Sequence, residues 1–475
     1  MTDIKFGTDG WRALIAREFT FENVARVATA TARVMKERAP GKTRMAVGYD
    51  RRFLAGDFAR TVACCFAREG YAVSIVREAT PTPVLSWCAK NLDGMAGAAV
   101  ITASHNPPEW SGFKFKENFG GSALPETTKA IETAAKSPGA IDLPTEAEFD
   151  AFLAQGKVVF FEPMKDYLAS ISKLVDLSLI RSKGYAVALD TMHGAGSVHL
   201  PAFLRSAGIR AEAIHEDDNP GFGGVPPEPV EKNLGALLEK VSTGGFSCGF
   251  ATDGDADRLG AVDERGAYFS TQKILSTVYW HMLENRKKPW SIARSASTTN
   301  LVDRIARAKG FSSYETPVGF KHIAEKIVEG KAQIGGEESG GIGIVDHIPE
   351  RDSFLTCLLL LEAMAMSGRG LSELYAAIGR EFRPYEFVRL DLKVPQGVMD
   401  QAMARLKSQA PKAWLGKEVE TLSTLDGYKF YLKGGDWLLI RPSGTEPLFR
   451  IYADTATLNE SQKMVEAARD FVMRS

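Results

Sequence analysis

Cysteine is scarce in this chain of 475 residues: Cys64, Cys65, Cys88, Cys248 and Cys357 lie scattered in apolar stretches without metal-type spacing. An odd number of dispersed thiols argues against a disulfide framework and against a thiolate metal site, and suits a reducing cytoplasm. A surplus of charge is missing too. With 58 basic and 59 acidic residues, the chain has no excess of either sign to draw nucleic acid or a membrane surface, so an anionic substrate must be met by local charge. No apolar run reaches the length of a membrane span, and the polar Met1–Lys5 leads straight into motif sequence, so neither a signal peptide nor an anchor is expected and the expected location is the cytoplasm. What remains is ordinary for a globular protein: 44% hydrophobic and 25% charged residues, enough for several cores.

The first third alternates strands and helices. Thr20 caps a helix whose Val24, Val27, Ala28, Thr31 and Val34 follow helical spacing, ended by Pro40 and Gly41. A strand through Met45–Tyr49, a helix through Phe58–Arg68 and a strand through Tyr71–Val76 continue a βαβ plan with a largely parallel or mixed sheet. The cycle restarts at Tyr185–Asp190 and again near Ser291. The expectation is three related α/β domains with mixed sheets, over 1–155, 156–265 and 266–382, followed by a smaller α+β domain over 383–475 with Pro384 at the hinge.

Asp253, Asp255 and Asp257 alternate in a run whose other side chains are few. Gly254 permits a tight loop in which three carboxylates converge on one ion, and hard oxygen donors favour Mg²⁺ or Ca²⁺. A solvated acidic turn is the plain alternative, but Gly249–Ala251 before the cluster and Leu259–Val262 after it read as buried strand, where uncompensated charge is costly. An EF-hand is rejected because Arg258 stands at the position that needs glycine.

Four other segments carry chemistry. Ser104 and His105 follow the apolar stretch Ala98–Ile101, at a strand's carboxyl end where α/β sheets gather ligands. Lys114 and Lys116 share one face of a strand, with Lys116 the better candidate for a solvent-facing edge. Gly335–Gly341 combines glycines with Glu337, Glu338 and Ser339, acceptors suited to a polyol and lacking the cation that a phosphate needs. Arg441, Ser443, Gly444 and Thr445 offer a guanidinium, two hydroxyls and accessible backbone amides for a dianion, with Arg450 a second charge.

Together and in this order, these segments resemble the α-D-phosphohexomutase superfamily, the phosphoglucomutases, phosphomannomutases and phosphoglucosamine mutases. Phe6–Arg12 is similar to its opening segment, the Ser104 loop to its phosphoserine loop, Asp253–Arg258 to its metal loop, Glu337–Gly341 to its sugar loop and Arg441–Pro447 to its phosphate loop. The resemblance implies four domains around a central cleft and a mutase that interconverts hexose 1- and 6-phosphates. Ser104 would carry the phosphoryl group. Asp253, Asp255 and Asp257 would hold one Mg²⁺, completed by a Ser104 phosphoryl oxygen, and Arg12 and Arg258 would lie against the transferring phosphate. Lys114 and His105 match positions of proton transfer and support. Lys321, Glu337 and Ser339 match substrate contacts, and the Arg441 loop would hold the phosphate that is not reacting. A hexose 1,6-bisphosphate is implied as intermediate and activator, and a monomer or homodimer as the assembly. Two departures stand out: relatives carry His where this chain has Gly341, leaving His347 as a stand-in, and Trp11 and Ala13 replace the commoner Ile and Gly. The Glu337-Glu338-Ser339 triplet resembles the glucomutases more than the Glu-Gln-Ser of glucosamine mutases, so phosphoglucomutase, with mannose phosphate also accepted, is the expected activity. Phosphoglucosamine mutase, a phosphoserine-dependent sugar phosphatase and a non-catalytic sugar phosphate sensor are the alternatives.

Overall fold

The computed structural model describes residues 4–7, 9–136, 142–443 and 447–474. The chain builds four sheets in sequence order. The first runs Trp11–Leu14, Trp110–Glu117, Met95–Ile101, Arg44–Tyr49, Ala72–Val76, Val158–Phe161 across its width. Its last four strands are parallel and its first two join antiparallel, so it is mixed. Both faces are covered. Met45, Val47, Ala99 and Ile101 enter one core while Ala46, Ala98 and Val100 enter another, which is why these strands read as continuous apolar runs.

The second sheet orders Tyr268–Phe269, Leu259–Val262, Cys248–Thr252, Ala186–Asp190 and Arg210–Ile214; the third orders Ser313–Thr316, Ile292–Ser295, Ile334–Gly336 and Ile342–Ile344. The fourth is antiparallel throughout, packs Gln396–Ser408 and Leu458–Met473 over one face, and sets Trp437, Leu439 and Tyr452 of the other against Ala296 of the third domain. The architecture is therefore three mixed α/β domains and a C-terminal α+β domain. In every sheet a site loop is the connection of an antiparallel pair. Ser104 lies between Met95–Ile101 and Trp110–Glu117, and the aspartates between Cys248–Thr252 and Leu259–Val262. Glu337–Gly341 joins Ile334–Gly336 to Ile342–Ile344, and Trp437–Pro442 pairs with Leu448–Thr455 around the fourth loop.

One strand of the preceding sheet follows each of the expected breaks at 155 and 265. Val158–Phe161 pairs in parallel with Ala72–Val76, so the first sheet continues past 155, and Tyr268–Phe269 pairs with Leu259–Val262, so the second continues past 265. Both strands are short and flanked by polar residues, the same pattern that a linker gives. The helix before the third break ends at Phe382. The most apolar helix, Ser353–Ser367, is a core element; among the described residues no single helix is long and apolar enough to cross a membrane. All five cysteines are free and buried.

Candidate active site

Ser104 is buried and held at φ +53°, a left-handed conformation that non-glycine residues rarely adopt. This backbone turn aims Oγ across the domain boundary, where it donates a 2.7 Å hydrogen bond to Asp253 Oδ2. The loops fit closely. A Cβ on Gly254 would stand 2.5 Å from the Ser104 carbonyl oxygen, so the aspartate loop needs glycine at that point. His105 Nδ1 lies 3.3 Å from Ser104 Oγ. Burial, and then the guanidinium groups of Arg258 and Arg12 with Lys114 and Arg351, hold the His105 imidazole well below its usual range, so it is neutral near pH 7.

The three aspartates converge, with one carboxylate oxygen of each within 4.8 Å of the others. Their bonds divide the oxygens into two sets. Asp253 Oδ1 accepts the amides of Asp257 and Arg258, each at 3.0 Å. Asp255 Oδ2 accepts from Thr82 at 2.6 Å and Lys114 at 2.8 Å, and Asp257 Oδ2 lies 3.1 Å from Lys114 Nζ and 2.8 Å from Arg351. The other oxygens, Asp255 Oδ1 and Asp257 Oδ1, are buried without a hydrogen-bond partner. Two orphaned carboxylate oxygens beside a third carboxylate and a serine hydroxyl are the donor set of a hard dication.

Charge in the cluster is uneven. Burial, then Asp257 and Asp255, push Asp253 well above the carboxylate range. Burial alone would raise Asp255 as well, but Lys114 overcomes it and holds that group below its ordinary value. Burial would likewise strip Lys114, yet Asp255, Asp257 and Asp9 raise its pKa above the ordinary lysine value, so it stays an ammonium. Lys116 is not at a solvent edge. Its strand lies inside the sheet, and its buried ammonium pairs with Glu350 at 2.6 Å and Asp9 at 3.2 Å.

Arg12 Nη1 donates to Asn106 Oδ1 at 2.6 Å, at the rim of the Ser104 loop. Arg258 lies 3.7 Å from Asp257, and its buried Nε has no hydrogen-bond partner. Ser339 donates to Glu337 Oε1 at 2.7 Å, and the same oxygen meets Arg351 Nη1 at 3.0 Å. Arg351 also reaches Asp9 and Asp257, tying three domains together. Asp9 and Arg351 were not among the sequence candidates. Glu350-Arg351-Asp352 sits between the buried strand Ile342–Ile344 and a buried helix, and charges at so apolar a junction were the signal.

Arg351 also accounts for Gly341. A Cβ there would lie 2.1 Å from Arg351 Cδ, so the space that a histidine would need is filled by the arginine. His347 does not stand in: its Nε2 bonds Asp352 at 2.8 Å, beside Tyr167. Trp11 stacks on Phe19 with ring centroids 4.9 Å apart and Ala13 is buried, so both are core positions, removed from substrate choice. Glu338 faces away from Glu337. It meets Arg389 of the C-terminal domain at 3.1 Å and accepts from Ser297 at 3.1 Å.

The remaining candidates lie on other segments, the helix Phe320–Val328 and the strand pair Trp437–Pro442 and Leu448–Thr455 with its connection. Arg441 lies directly opposite Arg450 on neighbouring strands, and Arg450 Nε is buried without a hydrogen-bond partner. Like charges side by side destabilise a sheet unless an anion joins them. Arg441 Nε donates to Asp426 at 2.8 Å, and Asp426 also accepts the Val318 amide at 2.8 Å, so one carboxylate links the fourth domain to the segment that carries Lys321. Lys321 borders the same small cleft as Asp9, Gly10 and Ser122. Ser443 follows the strand Trp437–Pro442, while Gly444 and Thr445 lie outside the described residues.

Four sheets with a serine, a carboxylate cluster, a polyol-type loop and an arginine pair at their hairpins define a phosphohexomutase. Four family descriptions match in order: phosphoglucomutase/phosphomannomutase alpha/beta/alpha domain I over 3–140, domain II over 165–266, domain III over 270–382, and the C-terminal domain over 391–470. The chain belongs to the phosphoglucomutase/phosphomannomutase family, whose members are isomerases acting by phosphoryl transfer. It is 30% identical over 463 residues to a phosphoglucomutase/phosphomannomutase of Thermococcus kodakarensis, covering 97% of this chain and 96% of that one. It is 28% identical to a phosphoglucosamine mutase of Caldicellulosiruptor saccharolyticus, covering 96% of each. The crystal structure of a provisionally named phosphomannomutase from Thermus thermophilus matches over 100% of both chains with a TM-score of 0.87 and 34% identity.

Proposed function

We propose that this protein interconverts hexose 1-phosphate and hexose 6-phosphate through a phosphoryl group carried on Ser104, with hexose 1,6-bisphosphate as intermediate and activator. The observation that carries this reading is the 2.7 Å bond from Ser104 Oγ to Asp253, inside a carboxylate cluster with two unpartnered oxygens. Asp253, Asp255, Asp257 and a Ser104 oxygen would hold one Mg²⁺, which when bound offsets charge on the transferring oxygens.

The P–O bond to Ser104 breaks as a bond forms to the free sugar hydroxyl, whose proton leaves to a base while the released Ser104 oxygen takes one from an acid; the bisphosphate then reorients and returns its other phosphate to Ser104. Arg12 and Arg258 supply charge to the transferring group. The neutral His105, at 3.3 Å, is a second acceptor beside Ser104 Oγ, after Asp253 Oδ2 at 2.7 Å. Lys114, held as an ammonium, gives a proton before it takes one. Glu337 and Ser339 accept from sugar hydroxyls, while Arg441, Arg450 and Ser443, with Gly444 and Thr445, hold the distal phosphate, and Lys321 closes on the substrate. A substrate bound through its distal phosphate can be turned and bound again, which hydrolysis does not require, so the mutase reading is preferred to the phosphatase.

Glucose and mannose phosphates are the proposed substrates, supported by the names of the Thermococcus and Thermus relatives. Glucosamine phosphate is the second reading, favoured by the Caldicellulosiruptor relative and by Glu338, whose bond to Arg389 removes it as a mark of the glucomutases. Assays with the three 1-phosphates under Mg²⁺ and bisphosphate test this. Turnover of glucosamine 1-phosphate alone overturns the first reading.

A further inference from the structure

We infer that Arg52, braced by Asp50, is a positioning residue for phosphoryl transfer: it fixes the backbone of the Ser104 loop. This rests on the reading of Ser104 as the phosphoryl carrier. Arg52 is wholly buried, and its guanidinium gives every one of its N–H groups to a partner. Nη2 donates to the carbonyls of Ser104 at 2.6 Å and Asn106 at 2.7 Å, and Nη1 to those of Pro107 at 2.8 Å and Trp110 at 2.9 Å. Nε completes the fan with Asp50 Oδ2 at 3.2 Å. Three of the four carbonyls belong to the loop between Met95–Ile101 and Trp110–Glu117 and the fourth to the first residue of the second strand; Pro107 also accepts the Trp110 amide at 3.1 Å, while the carbonyls of Ser104 and Asn106 depend on Arg52. A guanidinium offers five donors in a fixed plane, where an ammonium offers three.

Asp50 holds the other side of the same residue. Its Oδ2 accepts from Thr102 Oγ1 at 2.6 Å, and Thr102 Oγ1 accepts the Ser104 amide at 2.8 Å. Carbonyl and amide of Ser104 are thus both tied to the Asp50–Arg52 pair, one directly and one through Thr102. These bonds sustain φ +53°, and with it the aim of Oγ at Asp253. The same carbonyl abuts Gly254, so a displaced Ser104 loop would press on the metal loop as well. Phe222 of the second domain covers the guanidinium at 5.0 Å, which ties the cradle to the domain that carries the aspartates. Among the described residues the side-chain hydrogen bonds of Arg52 and Asp50 go to the Ser104 loop and to each other, not to Glu337–Gly341 or Arg441, so their effect falls on transfer and spares sugar binding.

The test is steady-state kinetics of Arg52→Lys, Thr102→Val and Ser104→Ala, with hexose 1-phosphate, Mg²⁺ and saturating hexose 1,6-bisphosphate, each variant checked by thermal unfolding. For Arg52→Lys, kcat should fall on the order of a hundredfold while KM stays within about twofold, the split expected when the reacting group alone is misplaced. Thr102→Val, which removes only the relay to the amide, should lower kcat less with the same unchanged KM, and it decides the matter if Arg52→Lys does not fold. Wild-type kcat in the variants, or a KM that rises in step with the loss, overturns the positioning role. If Ser104→Ala is inactive and Arg52→Lys is normal, only that role falls; if Ser104→Ala turns over, the phosphoserine reading itself falls.

Discussion

Glu338 and Arg389 form a 3.1 Å ion pair between the glycine-rich loop of the third domain and the first strand of the C-terminal domain. The pair lies one residue from Glu337, so the attitude of the C-terminal domain and the shape of the polyol loop are set together. Glu338→Gln keeps the size and loses the charge. KM for the hexose phosphate should rise severalfold with a smaller change in kcat, and Arg389→Met should do the same. Steady-state kinetics check this, and the double variant should be no worse than either single one, as for two halves of one interaction.

The cluster of Asp253, Asp255 and Asp257 is the proposed Mg²⁺ site. Mg²⁺ should raise the thermal unfolding midpoint of the wild type, because a ligand that binds only the folded state stabilises it. Asp255→Asn should abolish most of that rise together with turnover. Lys114→Met leaves Asp9, Asp255 and Asp257 without their shared ammonium and should destabilise the fold by about 3–5 kcal/mol, the range for breaking a buried charge pair. Chemical denaturation with and without Mg²⁺ reads both effects.

Much of this was legible in the sequence, and the reason is local. Asp253, Ser104 and Arg441 each stand where an apolar strand gives way to polar residues, and strand carboxyl ends are visible as patterns. What the sequence hid was partnership. Arg52 is ordinary in its local run, and although Arg351 stands among charges at an apolar junction, only the packing of separate loops shows that the first serves the Ser104 backbone and the second spans Asp9, Asp257 and Glu337. Glu338 was misplaced for a related reason: neighbours in a hairpin turn point apart, so adjacency to Glu337 said nothing about a shared target. The strands at Val158 and Tyr268 were missed because each is completed by pairing with a distant strand, which sequence runs do not display.

Gly341 and Arg351 should behave as a unit. Gly341→His places a side chain against Arg351 Cδ and should cost about 1–3 kcal/mol through overpacking. Combining it with Arg351→Ala should recover part of the stability by vacating the space. Differential scanning calorimetry of the two single variants and the pair gives the coupling.

Asp454 offers a pH test of the junction between the third and fourth domains. It is buried and accepts from Thr299 Oγ1 at 2.7 Å and from the Asn300 amide at 3.3 Å, yet burial pushes it up to about 7. Between its unfolded value of 3.8 and about 7 the folded state binds the extra proton, so this group's contribution to stability is present below pH 4 and is lost as pH rises towards 7. Asp454→Asn should flatten that part of the profile. Unfolding midpoints of wild type and variant across pH 4 to 8 should converge near pH 4 and separate towards neutrality, the wild type lower.

The central claim is that Ser104 carries the transferred phosphoryl group. The most direct measurement is intact-mass and peptide mapping of the protein after incubation with hexose 1,6-bisphosphate and Mg²⁺, followed by a chase with hexose 1-phosphate. A single phosphoryl group on Ser104 that disappears in the chase, with no phosphorylation and no turnover in Ser104→Ala, is the predicted result. A phosphoryl group on another residue, or turnover by Ser104→Ala, would contradict it.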